Sequence, residues 1–258
     1  MLRKKKNGFD VEKFSISEIT QYLTCPRAWH YLYQLKFRLK KSDSLFIGSA
    51  LHSGLETFYK GGDPVKAYVR YIKQNVWQKP KGFNEEKYIK EGINIMTVYK
   101  TKGTYFNPLP DWIERREITQ LRNPHTDEVI PIPFSFKVDL VHQDGSKLFL
   151  VDHKSSSSNS TKQLETNRIQ AISYLTALRL ILGKKIDGFI QNSIIKRKVP
   201  QIVPTLFRYS EDDIDYVFNI IKYVLDRIER KMYLVDSPMV KTFYPCPIKQ
   251  LCSIHGKS

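Results

Sequence analysis

Residues 134–154, Phe134-Ser-Phe-Lys-Val-Asp139-Leu-Val-His-Gln-Asp-Gly145-Ser-Lys-Leu-Phe-Leu-Val-Asp152-His-Lys154, constrain the fold of this chain more than any other stretch. Two runs rich in apolar, β-branched and aromatic residues flank Asp144-Gly145, and a two-residue turn with positive φ at its centre joins such runs into a β-hairpin. With Asp144-Gly145 as the central pair, Gln143 faces Ser146 and Asp139 faces Leu150. Side chains alternate with period two, so Leu148, Leu150, Asp152 and Lys154 share the side of Asp139. Asp139 and Asp152 then become diagonal neighbours, roughly 7–8 Å apart at the backbone, and two carboxylates so placed can converge on one cation. Lys154 points to the same place and offsets their mutual repulsion. Taken alone, the segment fits equally well a pair of strand-end aspartates and a solvated lysine, because a one-residue slip would separate the carboxylates.

Helices are expected before this hairpin. Ser15-Ile-Ser-Glu18 has the form of a capping box, and the helix it opens should reach Leu35, with a break or restart at Pro26. Further helices are expected over Leu45–Tyr59, Val65–Val76 and Glu85–Tyr99, punctuated by Gly61-Gly62 and Pro80-Lys-Gly82. Short β-type runs follow at Trp112–Leu121, Phe134–Val141 and Lys147–Val151. A polar loop, Ser155–Thr161, leads to a helix over Gln163–Leu182, strands at Gly188–Ile195 and Gln201–Phe207, and a last helix over Glu211–Lys231. The length of 258 residues suits one elaborated domain: a basic, flexible segment over 1–14, then 15–258, with a helical part (15–105), a sheet-and-helix part (106–210), and a C-terminal helix and tail (211–258).

Lys and Arg number 42 against 26 Asp and Glu, a formal net charge of +16. A surplus of that size attracts polyanions, nucleic acid first among them, although the same charge is compatible with a membrane surface or with plain solubility. No apolar run approaches the ~20 residues that span a bilayer. The basic start Met-Leu-Arg-Lys-Lys-Lys has no apolar segment behind it, so it does not read as a secretory signal, and a cytoplasmic location with no membrane partner is the expectation. Three widely spaced cysteines do not make a disulfide framework.

Two further pairs have one-turn spacing. Gly48-Ser-Ala-Leu-His52-Ser-Gly-Leu-Glu56 puts His52 and Glu56 on one helical face, and Gln170-Ala-Ile-Ser-Tyr174 does the same for an amide and a phenol. Either pair alone fits a surface or core helix as well as a site.

In order, Ser15-x-Ser17 leading to Tyr22-x-x-Cys25-Pro26, Gly48-x-x-x-His52, Val138-Asp139, Val151-Asp152-His-Lys154 and Gln170-x-x-x-Tyr174 resemble the RecB-like branch of the PD-(D/E)XK nuclease superfamily, which includes CRISPR-associated four-cysteine exonucleases and related phage nucleases. The resemblance implies an α/β fold with a mixed central β-sheet flanked by helices, a restriction-endonuclease-like core with a helical N-terminal region. It implies hydrolysis of DNA phosphodiester bonds, by an exonuclease or end-processing enzyme of recombination, repair or phage replication, in a bacterial or phage-infected cell and alongside recombination or replication proteins. A structure-specific endonuclease and a catalytically silent DNA-binding or assembly protein are the alternatives. By the same resemblance His52, Asp139, Asp152 and the His153 carbonyl would hold Mg²⁺ or Mn²⁺, Lys154 would be the catalytic lysine, and Gln170 and Tyr174 would contact DNA or support the site. Oxygen ligands with one imidazole suit a hard divalent ion. Glu56 is either a partner behind the metal ligands or a surface ion pair. Ser155 offers a phosphate donor after the catalytic strand, and Lys196, Arg197 and Lys198 form a short basic run that either touches phosphate or is a solvated edge.

Relatives with an iron–sulfur cluster supply one N-terminal and three C-terminal cysteines. Here Cys25, Cys246 and Cys252 fill three of those places and Phe243 stands in the fourth. A cluster completed by His255 and a zinc site from the same four residues are open readings, but a degraded site that binds no cluster is favoured, because full thiolate ligation is the rule. Protein purified without oxygen is therefore expected to be colourless with substoichiometric iron, and Cys246→Ser to leave stability unchanged. A brown preparation would reverse this reading and make His255 the first candidate ligand.

Overall fold

The protein is described here by a computed structural model covering residues 12–39, 41–103, 105–156 and 164–233. It divides into two compact units, one of residues 1–39, 118–136 and 211–258, the other of residues 40–117 and 137–210.

The second unit is a mixed five-stranded sheet with helices, the fold class expected from the sequence. Its helices begin where the sequence supplies caps. In α3 (Asp43–Tyr59) the Ser42 hydroxyl accepts from Leu45 N–H. In α4 (Pro64–Gln74) Asp63 accepts from Val65 and Lys66 N–H with proline in the first turn, and in α5 (Glu85–Lys102) Asn84 accepts from Lys87 N–H. These three helices bury Phe46, Leu51, Leu55, Tyr68, Ile72 and Met96 in one core that also takes Ile194 from the sheet.

The strands are β1 (Pro108–Ile113), β4 (Leu140–Asp144), β5 (Lys147–Ser156), β6 (Gly188–Ile195) and β7 (Gln201–Phe207), in that spatial order. Only β5 and β6 are parallel, joined through α6 (Leu164–Leu182); the other pairs are antiparallel. Strand β5 is central and buried continuously from Leu148 to His153, as a strand covered on both faces must be. The edge strands β1 and β7 carry Pro108, Pro110 and Pro204, residues that cannot extend a ladder to another chain.

Several local expectations are corrected. Trp112–Leu121 is two strands, β1 and β2 (Arg116–Thr119), and Phe134–Val141 is also two, β3 (Phe134–Lys137) and β4. Strands β2 and β3 pair in a separate two-stranded sheet. The breaks fall side by side: Glu114 takes φ 52°, its N–H donates to Asp139 O at 2.8 Å, and Val138 N–H donates to Arg115 O at 2.9 Å. The hairpin turn also differs. Asp144 pairs with Lys147 and Gln143 with Leu148, so the central residues are Gly145 and Ser146, with positive φ only at Gly145 (57°), the pattern of a type II′ turn. This register is two residues away from the expected one. An even shift keeps every side chain on its face, and it brings Asp139 from a diagonal position to the place opposite Asp152, one step beyond the last pair, Leu140 with Val151. Ser155 and Ser156 close β5 rather than opening a loop; residues 157–161 lie outside the described residues.

The first unit contains α1 (Ile16–Thr24), α2 (Pro26–Trp29), a π-helical turn over His30–Gln34, and α7 (Glu211–Glu229). The long N-terminal helix thus restarts at Pro26, which sits at the first position of α2 under a Cys25 cap. Helix α7 buries Val217, Phe218, Ile221, Val224, Leu225 and Ile228, one stripe at helical spacing. The capping box does not close, since Ser15 makes no side-chain cap to the helix backbone and its hydroxyl donates instead to Glu18 Oε1 at 3.2 Å. Burial pushes the Glu18 carboxyl up to about 7, against the Ser15 hydrogen bond and the charge of Lys13. A carboxyl raised on folding binds its proton more tightly in the native state, so stability falls as pH rises from about 4.5 through 7. Glu18→Gln is therefore expected to raise Tm by a few degrees at pH 8, on the scale of ~2–4 °C per kcal/mol, and to match the parent below pH 4.5. Differential scanning calorimetry at the two pH values checks this.

Candidate active site

Seven polar side chains of the second unit converge where β4 leaves its bend and β5 runs beneath α6. The His153 main-chain N–H donates to Asp139 Oδ2 at 2.8 Å, which leaves Oδ1 free to face His52 Nδ1 at 3.4 Å. His52 comes from the middle of α3, and its Nδ1 also lies 3.1 Å from Glu114 Oε1. Lys137 pairs with the other Glu114 oxygen. On β5, Lys154 Nζ donates to Asp152 Oδ1 at 3.0 Å and to Gln170 Oε1 at 3.3 Å, while Gln170 Nε2 donates to the same Asp152 oxygen at 2.9 Å. Asp152 Oδ2 is buried with the Lys154 ammonium 2.9 Å away but without a donor aligned on it. The lysine balances the charge of that oxygen while its N–H bonds are aimed at Asp152 Oδ1 and Gln170.

The electrostatics separate the two carboxylates. Burial alone would raise Asp139, but the His52 imidazolium, by charge and by hydrogen bond, holds it well below the ordinary range, with His153 and Lys154 adding to the effect. Asp152 moves the other way, raised by burial and by the neighbouring Asp139 charge against the pull of Lys154. Burial works against the charge on His52, yet Asp139 and Glu114 outweigh it and lift the imidazole to about 10. Lys154 is likewise raised, burial being overcome by Asp152 and Asp139. Tyr174 is pushed up to about 12 by burial and the Asp152 charge, and hydrogen-bonds the main chain at Lys137.

The His153 side chain points to the opposite face of β5. Its Nδ1 lies 3.0 Å from Asn192 Nδ2, its ring stacks on Tyr59 at 5.8 Å, and Asn192 also donates to Tyr99 OH at 3.1 Å. Burial, with the charges of His52 and Lys154, lowers this imidazole to about 4. It is a neutral peg that fixes the strand between Asp152 and Lys154.

Among the described residues, His52, Glu114 and Asp139 place one ligand atom each within 4.8 Å of one another. Carboxylate oxygens with one imidazole form a donor set fit for a hard divalent cation, and the proton that His52 holds between two carboxylates stands where such a charge would sit. The structure thus brings together His52, Asp139, Asp152, Lys154, Gln170 and Tyr174. Glu56 is not with them: it pairs with Lys60 at 2.6 Å on the exposed side of α3, and Glu114 faces His52 instead. Glu114 was missed because Trp112–Leu121, which contains the run Glu114-Arg-Arg-Glu117, reads as one continuous strand. Its signal was four consecutive charges inside a strand pattern, the place where the strand breaks. Ser155 lies in β5 paired with Ile194, and Lys196, Arg197 and Lys198 follow β6 at a separate cleft. Cys25 is buried, its sulfur accepting from Ala28 N–H at 3.4 Å; Cys246, Cys252 and His255 lie outside the described residues.

A bent hairpin thus carries two unlike carboxylates and a lysine in a mixed sheet. The sequence matches the PD-(D/E)XK nuclease superfamily over residues 13–253, and the chain belongs to that superfamily. Its fold is similar to the crystal structure of a “putative exonuclease” from Eubacterium rectale, with a TM-score of 0.64 and 14% identity over 99% of this chain and 92% of that one. A weaker likeness, TM-score 0.46 and 12% identity over 98% and 89% of the two chains, links it to the structure of SSO0001. No curated protein matches it. Among the described residues no helix is long and apolar enough to cross a membrane.

Because His52 keeps its proton up to about pH 10 without a cation, a divalent ion bound here displaces a proton, and its affinity rises with pH over the neutral range. Titration of metal-free protein with Mn²⁺ in two buffers of different ionisation enthalpy is expected to give buffer-dependent heats. Identical heats would show that His52 does not release a proton to the buffer.

Proposed function

We propose that the protein is a Mg²⁺- or Mn²⁺-dependent deoxyribonuclease of the RecB-like branch, an exonuclease or end-processing enzyme of recombination, repair or phage DNA metabolism. The observation that carries this reading is the meeting of the His52, Glu114 and Asp139 cluster with the hydrogen-bonded Asp152 and Lys154 at one strand end, inside a superfamily match that spans the site. The Gly48-x-x-x-His52 and Gln170-x-x-x-Tyr174 pairs support the RecB-like assignment, and the description of the Eubacterium rectale neighbour supports the exonuclease one.

In this reading His52, Glu114, Asp139 and Asp152, with the His153 carbonyl, hold the ion. A divalent ion so held supplies a more acidic water and neutralises charge on the phosphate. The ionised Asp139 is anchored by the His153 N–H and does not turn away when the neighbouring charges change. Asp152, raised by burial and by the Asp139 charge while the ion is absent, would give up its proton on binding the ion and act as a ligand held by Lys154 and Gln170. Lys154 stays protonated at neutral pH, which favours a role as a fixed cation beside the phosphate over a role as a base. Gln170 clamps both Asp152 and Lys154 and sets their orientation.

Asp152→Ala and Lys154→Ala are each expected to lower the cleavage rate by on the order of 10²–10³-fold or more with unchanged circular dichroism. End-labelled linear and closed circular DNA, incubated with protein and Mg²⁺ or Mn²⁺, tests catalysis and the need for an end together. Wild-type rates in either variant would remove these residues from the chemistry.

A further inference from the structure

A cleft of ≈ 720 Å³ opens between α3, α5 and the segment that follows β6. Its volume lies within the ~300–1,000 Å³ of clefts that bind small ligands. The floor is built: Tyr68 is fully buried, and a Cβ on Gly92 would come within 2.0 Å of its ring, so only glycine lets the ring lie there. The two acidic groups on the wall are engaged, Asp43 accepting from Tyr88 OH at 2.8 Å and Glu91 facing Lys87 at 4.0 Å. Of the basic ones, Arg197 donates to the amide oxygen of Gln201 at 3.5 Å. Among the described residues no carboxylate pairs with Lys90, Lys196, Arg197 or Lys198, all of which line the cleft. Asn94 fixes the basic segment by donating to Lys198 O at 3.2 Å.

Both walls lead to the candidate active site. Lys196 N–H donates to Ser156 O at 2.8 Å, and Ser156 stands two residues beyond Lys154 on β5, a rise of about 7 Å. Along α3, Ile47 in the cleft precedes His52 by five residues, about 7.5 Å. Cleft and site are therefore neighbours along both elements, the cleft on the α3–α5 side of the sheet and the Lys154 side chain on the α6 side, and a strand that joins them passes over the ends of β5 and β6. The Tyr88 ring is stacked with Phe83 at 4.9 Å and has Lys87 over it at 5.3 Å, so its faces are already in use and the unpaired charges are what the cleft offers.

We propose that this cleft binds the phosphodiester backbone of a single DNA strand next to the reacting phosphate, through Lys90, Lys196, Arg197 and Lys198, without selecting bases. The proposal rests on the nuclease reading for its substrate, but its test does not need catalysis. Binding of a fluorescent 20-nucleotide oligothymidylate to the full chain is measured in EDTA by anisotropy at several salt concentrations. The double variant R197A/K198A is expected to bind at least ~10-fold more weakly, with a log K against log salt slope shallower by about 1.4, two contacts at ~0.7 each. Unchanged affinity and slope would overturn the cleft. So would an equal loss from K184A/K185A, which removes the same charge elsewhere, or binding of dAMP as tight as that of the oligomer, which would make the cleft a mononucleotide site. Cleavage of a trinucleotide by wild-type protein with Mn²⁺ is the separate readout for the nuclease reading: its absence beside the expected binding loss counts against that reading alone.

Discussion

The hydrogen bond from the His153 main chain to Asp139 Oδ2, 2.8 Å long, joins the bend between β3 and β4 to the central strand of the sheet. Without it the bend would leave Asp139 outside any ladder, since strand pairing stops at Leu140 and Val151. With it, one carboxylate is held directly by backbone. Its free oxygen has one direction to face, and His52 and Glu114 lie there. The same peptide unit precedes Lys154, so the positions of acid and cation are set together. The His153 ring, locked against Tyr59 and Asn192 on the far face, keeps that peptide from rotating.

This arrangement concentrates charge where burial disfavours it. Asp139, Asp152, His52 and Lys154 all lie in surroundings that penalise ionisation; opposite neighbours keep Asp139, His52 and Lys154 charged, while Asp152 is raised by burial and by Asp139 against the pull of Lys154. Such a network is stable only when complete, because a buried charge that loses its partner costs several kcal/mol, about 3–5 in measured cases. Glu114, Asp139 and Asp152 face protonated His52, Lys137 and Lys154, so the charges balance only while His52 keeps its proton. The proton on His52, held between two carboxylates, is the one a divalent cation would replace.

Much of this was legible in the sequence because it depended on parity. The expected hairpin turn was misplaced by one residue and the register by two, yet Asp139, Asp152 and Lys154 stayed on one face, since an even shift cannot move a side chain through the sheet. Helix starts were legible to within two residues, Leu45, Val65 and Glu85 being expected where Asp43, Pro64 and Glu85 are observed. Glu114 and Lys137 were not, because their place depends on two strands breaking at the same level, an event set by pairing between segments about 25 residues apart and not by the pattern within either. The family resemblance pointed to His52, but nothing local distinguished it from Glu56; only the packing of α3 on the sheet separates the residue that faces Asp139 from the one that pairs with Lys60.

The parallel pairing of β5 with β6 through α6 has a consequence for when the site exists. His153 is pegged by Asn192, 39 positions later, and His52 meets Asp139 across 87 positions of chain. Contacts this distant in sequence form late, since loop closure must be met before they contribute. During synthesis, β6 must leave the ribosome before the strand bearing Asp152 and Lys154 has its parallel neighbour. The nascent chain therefore carries Glu114, Asp139 and Asp152 well before β6 supplies the parallel neighbour that completes their surroundings.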